Sequence, residues 1–362
     1  MEEIVITGVG SAIPPEANVL TNFDMSKIVD TSDEWIITRT GVKERLVAPA
    51  EWASSNLIVI AILNALQDAG LTTEDIDAII ISTTFPDKGS NVPCTSEIVK
   101  HKLKLPQRVL SLEENKACAG FCFALERARL EFLGNPSFRR IVVASGDIIT
   151  KFTDYTNRGT CVLFGDAGGA VVLERVNLPG YGLLKSLRGT LTLNEENGDE
   201  YLYAISIPAG GSAMPANEDT VKERLHYMVM TEGGGKALLK VFGGEIIPKK
   251  TEELVDAIGL TLPDTNQILP HQANFRIIDT ARRRLEERGL RPNCVFADNI
   301  RWYGNNSGSS VPLALDTVYR QNRIKYGDYL VLWGYGAGLV YAANLIRWAK
   351  PPFTGIYNRK RP

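Results

Sequence analysis

The chain has 362 residues, 44% hydrophobic and 23% charged, with 40 basic side chains against 42 acidic for a net charge of −2. This is a globular composition that excludes disorder, collagen-like repeats and coiled coil, and its charge balance leaves no footprint for nucleic-acid binding. Five Cys without regular spacing argue for a reducing compartment rather than a disulfide framework, and three His leave few candidates for acid–base or metal chemistry.

In chain order, residues 4–10 form a β-branched run closed by glycines and read as a first strand rather than a signal peptide. The longest apolar runs, such as residues 78–81, fall far short of a membrane span, so a cytoplasmic protein is expected. Thr31-Ser32-Asp33-Glu34 carries a capping-box pattern with Thr31 as the cap, which places Trp35 and Arg39 one turn apart on one helix face. Short apolar runs at residues 78–81, 140–144, 267–270 and 329–332 end at Ser, Gly or His, as strands of a sheet covered on both faces do.

Ser82 and His271, Cys118 and Ser307, and Gly146 and Tyr335 all stand 189 residues apart. The common offset predicts a duplicated α/β unit whose halves, residues 1–182 and 236–350, pack about a pseudo-two-fold axis. A connecting segment (183–235) and a basic, Pro-rich tail (351–362) complete the chain. The connection holds Glu195-Glu196-Asn197-Gly198-Asp199, Pro208-Ala209-Gly210-Gly211-Ser212 and Glu232-Gly233-Gly234-Gly235, a turn-rich composition suited to a lid.

Cys118, in Lys116-Ala117-Cys118-Ala119-Gly120-Phe121, opens a helical pattern. Its place at a helix N-terminus predicts a thiol shifted toward thiolate, and its small neighbours allow a substrate carbonyl to approach. Cys94, Cys122, Cys161 and Cys294 read as packing residues. His271 follows a strand end, where α/β sheets place their chemistry, whereas His101 and His226 read as surface residues. Asn305, in Gly304-Asn305-Asn306-Ser307-Gly308-Ser309, stands near the repeat equivalent of Cys118; its amide could donate to an oxyanion, although such loops are commonly plain turns. No metal-ligand set is evident.

Together these motifs resemble β-ketoacyl-acyl-carrier-protein synthase III of the thiolase superfamily, over roughly residues 2 to 349. The resemblance rests on Thr31-Ser-Asp-Glu-Trp-Ile-Ile-Thr-Arg-Thr-Gly41, Ala117-Cys-Ala-Gly-Phe121, Arg158-Gly-Thr-Cys-Val-Leu-Phe-Gly-Asp166, His271-Gln-Ala-Asn-Phe-Arg276, Tyr303-Gly-Asn-Asn-Ser307 and Gly334-Tyr-Gly-Ala-Gly338. It implies a five-layered αβαβα thiolase-like α/β fold, a homodimer, and no cofactor beyond a CoA thioester used as substrate. Acyl-CoA and malonyl-acyl carrier protein are the implied partners.

By the same resemblance, Cys118, His271 and Asn305 form the catalytic set and the backbone N–H groups of Cys118 and Ala337 the oxyanion hole. Trp35 and Arg39 clamp the CoA adenine. Phe121 shields the centre, although a core role is equally open, and Asn274 orients water or Asn305. Lys240, Arg276, Arg283 and Arg284 dock the acidic carrier protein, while a solvated helix face explains the Arg run equally well. Val92, reaching across the dimer, and Tyr335 line the acyl pocket. Asn306 and Gly308 depart from the family's usual Thr and Ala, and Val92 is smaller than its usual Phe.

Three rival readings stand beside this one: a related ketosynthase of specialised metabolism, a papain-like hydrolase, and a non-catalytic acyl-binding relative. The hydrolase lacks its signature around the cysteine, and the non-catalytic reading needs a broken triad, whereas all three positions are intact here.

Overall fold

The computed structural model describes residues 2–15, 18–191 and 201–355. Two five-stranded sheets carry the fold. Glu3–Ala12 (β1), Ala78–Ser82 (β2), Leu110–Glu114 (β3), Arg140–Asp147 (β4) and Ala167–Val176 (β5) build the first, in the order β1-β5-β4-β2-β3. Gly182–Thr190 (β6), Thr265–Pro270 (β7), Val295–Phe296 (β8), Tyr329–Gly336 (β9) and Val340–Arg347 (β10) build the second, in the order β6-β10-β9-β7-β8. Each strand of one sheet has its counterpart at the same place in the other, so the repeat read from the sequence is present as topology. β2 pairs parallel with β4 and β3, and β7 with β9 and β8, placing Ala78 opposite Ile141 and Ile268 opposite Val331; β5 runs antiparallel to β1 and β4, and β10 to β6 and β9.

The isoleucine-rich β2 is buried along its whole length, as a parallel strand covered on both faces must be. Helix Ser54–Ala69 covers one face of the first sheet, and helix Ile247–Asp256 packs on the strands of the second. Helices Gly120–Gly134 and Ser310–Arg320 lie between the sheets and touch both. The result is five alternating layers. One core spans both halves, joining Ile80, Phe121 and Leu125 to Leu269, Leu315 and Leu332. Each such side chain contributes about 1.5–3 kcal/mol on burial, so neither half keeps its stability without the other.

Glycine permits this close packing at the axis. A Cβ on Gly336, the last residue of β9, would lie 3.0 Å from the backbone nitrogen and Cβ of Cys118. The second sheet thus runs directly against the turn that carries the nucleophile candidate.

Three details differ from the sequence reading. Strand β6 lies almost wholly within the stretch assigned to the connection; it is an edge strand with an exposed face, so it shows no continuous apolar run. The cap of helix Asp33–Thr40 is Ser32, whose hydroxyl accepts from the Trp35 N–H at 3.1 Å. The Asn22 amide holds the Asp33 carboxylate at 2.8 Å where the helix begins, which leaves Thr31 outside it. His226 is partly buried with its ring 4.1 Å from that of Tyr227, while His101 is exposed as expected.

Glu195 to Asp199 and the tail beyond Gly355 lie outside the described residues. The described part of the tail is pinned to the body, the Phe353 N–H donating to Asn322 at 2.8 Å. No helix among the described residues is long and apolar enough to cross a membrane.

Candidate active site

A cavity of about 350 Å³ opens where the two halves meet, and Cys118, His271, Asn305, Tyr335 and Ala337 all line it. Cys118 sits in the tight turn before helix Gly120–Gly134. Ala117, at φ +46°, turns the chain sharply there, and Ala119 and Gly120 donate back to the Lys116 and Ala117 carbonyls. His271 is the residue after β7, its N–H bonded to the Trp333 carbonyl of β9 at 2.7 Å. Asn305 is tied to the first half: its N–H donates to Leu163 and its carbonyl accepts from Gly165, at 2.8 and 3.1 Å. Three separate loops, one from the first half and two from the second, therefore converge on one cavity wall.

Neighbouring side chains orient all three, among them Ser310, which stands in none of the motifs. The His271 Nδ1 lies 2.7 Å from the Ser310 Oγ. The Tyr335 hydroxyl donates to the His271 carbonyl at 2.8 Å, with its ring edge-on to the imidazole at 5.2 Å. The Asn305 Oδ1 accepts from the Ser307 N–H at 2.9 Å, and its amide nitrogen donates to the Ala273 carbonyl at 3.4 Å. That amide has a second proton for a ligand in the cavity. Ser307, at φ +53°, places its hydroxyl 3.6 Å from the Cys118 sulfur and 3.1 Å from the Thr84 hydroxyl. Beneath them the buried Asp147 accepts from the Thr83 hydroxyl and the Thr84 N–H.

The electrostatics correct the expected thiolate. Burial pushes the Cys118 thiol up to about 12; the Ser307 hydroxyl opposes this, and the negative Asp147 adds to it. A helix N-terminus contributes fixed partial charge, but loss of bulk water outweighs it here. Burial also holds the His271 imidazole down to about 3, against a hydrogen bond with the Ser307 backbone. The resting pair is therefore a neutral thiol and a neutral imidazole. The same burial raises Asp147 above the usual carboxylate range.

The remaining predicted residues divide. Trp35, Arg39, Asn274 and Arg276 line the cavity with the central set. The Arg39 guanidinium stands 5.4 Å from the Trp35 ring, and Arg158 stacks on the same ring at 4.9 Å. Arg158 opens the Arg158–Asp166 motif, and its pairing with Trp35 emerges only in the fold. The Asn274 side chain caps helix Phe275–Glu287 and donates to the Arg39 carbonyl at 3.1 Å, so its amide ties the two mouth elements together rather than touching Asn305.

Phe121 is fully buried in the shared core, packing there rather than in the cavity wall. Arg283 and Arg284 are exposed and paired along their own helix with Asp279 and Glu287, at 3.0 and 2.9 Å. Lys240 is exposed on segment Leu239–Ile246, away from the wall that Lys236 and Leu239 supply. Val92 is 75% exposed, outside the cavity of its own chain. Among the described residues no group of three or more His, Cys, Asp or Glu could hold a metal ion.

Five alternating layers from a duplicated half, with a cysteine presented at their junction, define a thiolase-like condensing enzyme fold. Residues 112–190 match the family 3-oxoacyl-[acyl-carrier-protein] synthase III, and residues 255–348 match its C-terminal part. A β-ketoacyl-[acyl-carrier-protein] synthase III of Caldanaerobacter subterraneus is 41% identical over 345 residues, 95% of this chain and 98% of the relative. A solved 3-oxoacyl-[acyl-carrier-protein] synthase III of Aquifex aeolicus superposes with a TM-score of 0.80 at 32% identity, over 95% of this chain and 100% of that one. A solved priming β-ketosynthase of the R1128 polyketide pathway superposes at 0.82 with 29% identity, over 97% of each chain. The chain belongs to the β-ketoacyl-acyl-carrier-protein synthase III family, acyltransferases of the condensing type.

Proposed function

We propose that this protein starts fatty-acid synthesis by transferring an acyl group from acyl-CoA to Cys118 and condensing it with malonyl-acyl carrier protein. The observation that carries the reading is the convergence of Cys118, His271 and Asn305 on one cavity that Trp35 and Arg39 also line, with Arg158 stacked on Trp35.

In the first step the Cys118 sulfur attacks the thioester carbonyl, the Cys118–acyl bond forms and CoA leaves as its thiol. Cys118 and Ala337 both line the cavity, and their backbone N–H groups would hold the oxyanion as it develops. In the second step malonyl thioester loses carbon dioxide, and the electron pair of the broken C–C bond becomes an enolate. Neutral His271 and the Asn305 amide donate to its oxygen, contacts that strengthen as charge develops. The carbanion attacks the acyl-Cys118 carbonyl, and collapse frees the thiolate and a 3-ketoacyl product. Decarboxylation itself generates the nucleophile, so no base is needed to make it.

The Trp35–Arg158 stack and Arg39 suit an adenine and its anionic neighbours. Arg276 at the mouth, with Lys240, Arg283 and Arg284 farther out, would meet the acidic carrier protein; the internal pairing of Arg283 and Arg284 makes Arg276 the main contributor. A homodimer fits the exposed Val92, which as a residue of the second copy would close the acyl pocket beside Tyr335. Residues 1–182 act as one half, strand β6 with residues 236–350 as the other, and the segment between β6 and residue 236 as connection and lid. The protein works in the cytoplasm without cofactor or metal.

The test is reconstitution: acyl-CoA, malonyl-acyl carrier protein and the protein should yield 3-ketoacyl-acyl carrier protein with release of carbon dioxide. The likeness to the R1128 priming β-ketosynthase supports a second reading, in which the primer or acceptor belongs to specialised metabolism. Product analysis across acetyl-, branched- and long-chain acyl-CoA separates the two.

A further inference from the structure

Acylation of Cys118 strips a proton from a thiol that burial keeps neutral, and the cavity offers that proton few acceptors. Burial disfavours an imidazolium at His271 and keeps Tyr335 a neutral phenol whose hydroxyl donates to the His271 carbonyl. The negative charge that acts on the sulfur comes instead from Asp147.

Asp147 ends β4 and is fully buried. Three uncharged donors from the loop after β2 share one of its oxygens: the Thr83 hydroxyl, the Thr84 N–H and the Phe85 N–H reach Oδ1 at 2.9, 2.8 and 3.2 Å. Oδ2 is buried without a bonded partner. A carboxylate oxygen left bare in the interior is costly, and folded proteins rarely keep one without a role. Ser307, from the second half, is the bridge to the thiol. Its hydroxyl stabilises the Asp147 charge, lies 3.6 Å from the Cys118 sulfur and is steadied 3.1 Å from the Thr84 hydroxyl.

We propose that Asp147 stores the Cys118 proton between the two half-reactions, receiving and returning it through the Ser307 hydroxyl. The proposal rests on the condensing function given above and follows one proton through it. As sulfur attacks the thioester, its proton passes to the Ser307 oxygen and the Ser307 proton passes to Oδ2. The sulfur–acyl bond forms, the acyl–CoA bond breaks, and CoA leaves as a thiolate that takes a proton from solvent. The acyl-enzyme then holds a neutral carboxyl, so no buried negative charge opposes the enolate formed beside it. When condensation expels the Cys118 thiolate, the same path returns the proton and restores both groups. One solvent proton is consumed per turnover, the one that CoA carries away.

Proton counting in weakly buffered solution at pH 7 tests this on the unaltered protein. Acylation by acyl-CoA without malonyl-acyl carrier protein should consume one proton per Cys118 acylated. Direct passage of the thiol proton to the leaving CoA consumes none, and that result overturns the proposal. Infrared difference spectra of the same reaction should gain the carbonyl band of a protonated carboxyl, which shifts in deuterium oxide as the new thioester band does not; a spectrum without it also overturns the proposal. Asp147→Asn should lose both signals and acylate about a hundredfold more slowly, the scale of a lost proton acceptor. An Asp147→Asn protein that acylates at full rate removes Asp147 from the path. Should that variant fail to fold, the two signals from the unaltered protein decide alone.

Should no acyl-CoA form an adduct with the unaltered protein, the condensing function fails instead, and iodoacetamide decides the storage. Cys94 is exposed, so a Cys94→Ser chain confines the reading to Cys118. Alkylation of Cys118 should then release no acid to solvent, whereas one proton released per alkylated thiol contradicts storage on Asp147.

Discussion

The Ser307 hydroxyl lies 3.6 Å from the Cys118 sulfur, and these two residues are equivalents in the internal repeat, 189 positions apart. Packing the halves about their axis brings the same loop of each into contact. One copy carries the thiol and the other carries the hydroxyl that donates to it. The two loops have thus diverged into complementary parts of one site, which explains why neither half could hold the chemistry alone.

That contact sets the first prediction. The Ser307 hydroxyl opposes the upward push of burial on the thiol, so Ser307→Ala should leave less thiolate at any given pH. A hydrogen bond of about 1 kcal/mol corresponds to about fivefold. Alkylation of Cys118 by iodoacetamide at pH 8 should slow by about that factor with the melting temperature nearly unchanged. An unaltered alkylation rate would remove Ser307 from the account.

A second prediction concerns pH. His271 has its folded pKa held down to about 3 from an ordinary 6.5. Between those values the unfolded chain binds a proton that the folded chain refuses, so this residue lowers stability as pH falls from about 6.5 to 3. Cys118 acts at the other end: its thiol is raised from 9.0 to about 12, so the unfolded state ionises first and stability falls as pH rises through that window. Thermal melts of the unaltered protein and of His271→Gln should diverge progressively below pH 6.5, the unaltered protein showing the steeper loss, by up to about 1.4 kcal/mol per pH unit. Parallel curves would contradict the buried neutral imidazole.

Close approach at the axis makes Gly336 intolerant. The added carbon of Gly336→Ala would press on the backbone and Cβ of Cys118 at 3.0 Å, where no flexible side-chain end can give way. The expected cost is about 1–3 kcal/mol in denaturant unfolding. Acylation should fall by more than the stability loss explains, because the displaced atom is the nucleophile's own backbone. An alanine variant with full acylation would show that the strand can yield.

The cation–aromatic stack at the mouth is separable from the chemistry. Arg158→Ala and Trp35→Ala should each raise the KM for acyl-CoA several-fold with little change in kcat, the pattern of lost uniform binding. A truncated acyl-pantetheine thioester, which lacks the adenine, should be used equally by the variants and the unaltered protein. If the truncated substrate is affected as strongly, the stack supports the fold rather than the nucleotide.

Much of this architecture was legible from sequence because strands of a covered sheet carry an apolar run, and β2, β4, β7 and β9 each contain one. Cys118 and His271 were legible from their places at a helix start and a strand end, whereas Asn305, in a loop that reads as a plain turn, was named only by the family resemblance. Ser307 was legible only as the repeat equivalent of Cys118, and Ser310, Thr84 and Asp147 were not legible at all, because their importance comes only from what the pseudo-symmetry sets beside them. The thiol was misjudged for a related reason. A helix N-terminus can be read from a pattern, but the burial that opposes it depends on both halves at once. The edge strand β6 was absorbed into the connection because half-exposed edges lack a continuous apolar signal.

The proposed function stands on acceptance by Cys118 of the acyl group from a CoA thioester. Intact-protein mass spectrometry after exposure to a panel of acyl-CoA thioesters tests it most directly. One acyl group per chain is expected, mapped to Cys118, absent in Cys118→Ala and retained in His271→Ala. A protein that stays unmodified with its Cys118 thiol reduced, or an adduct that survives Cys118→Ala, would contradict it.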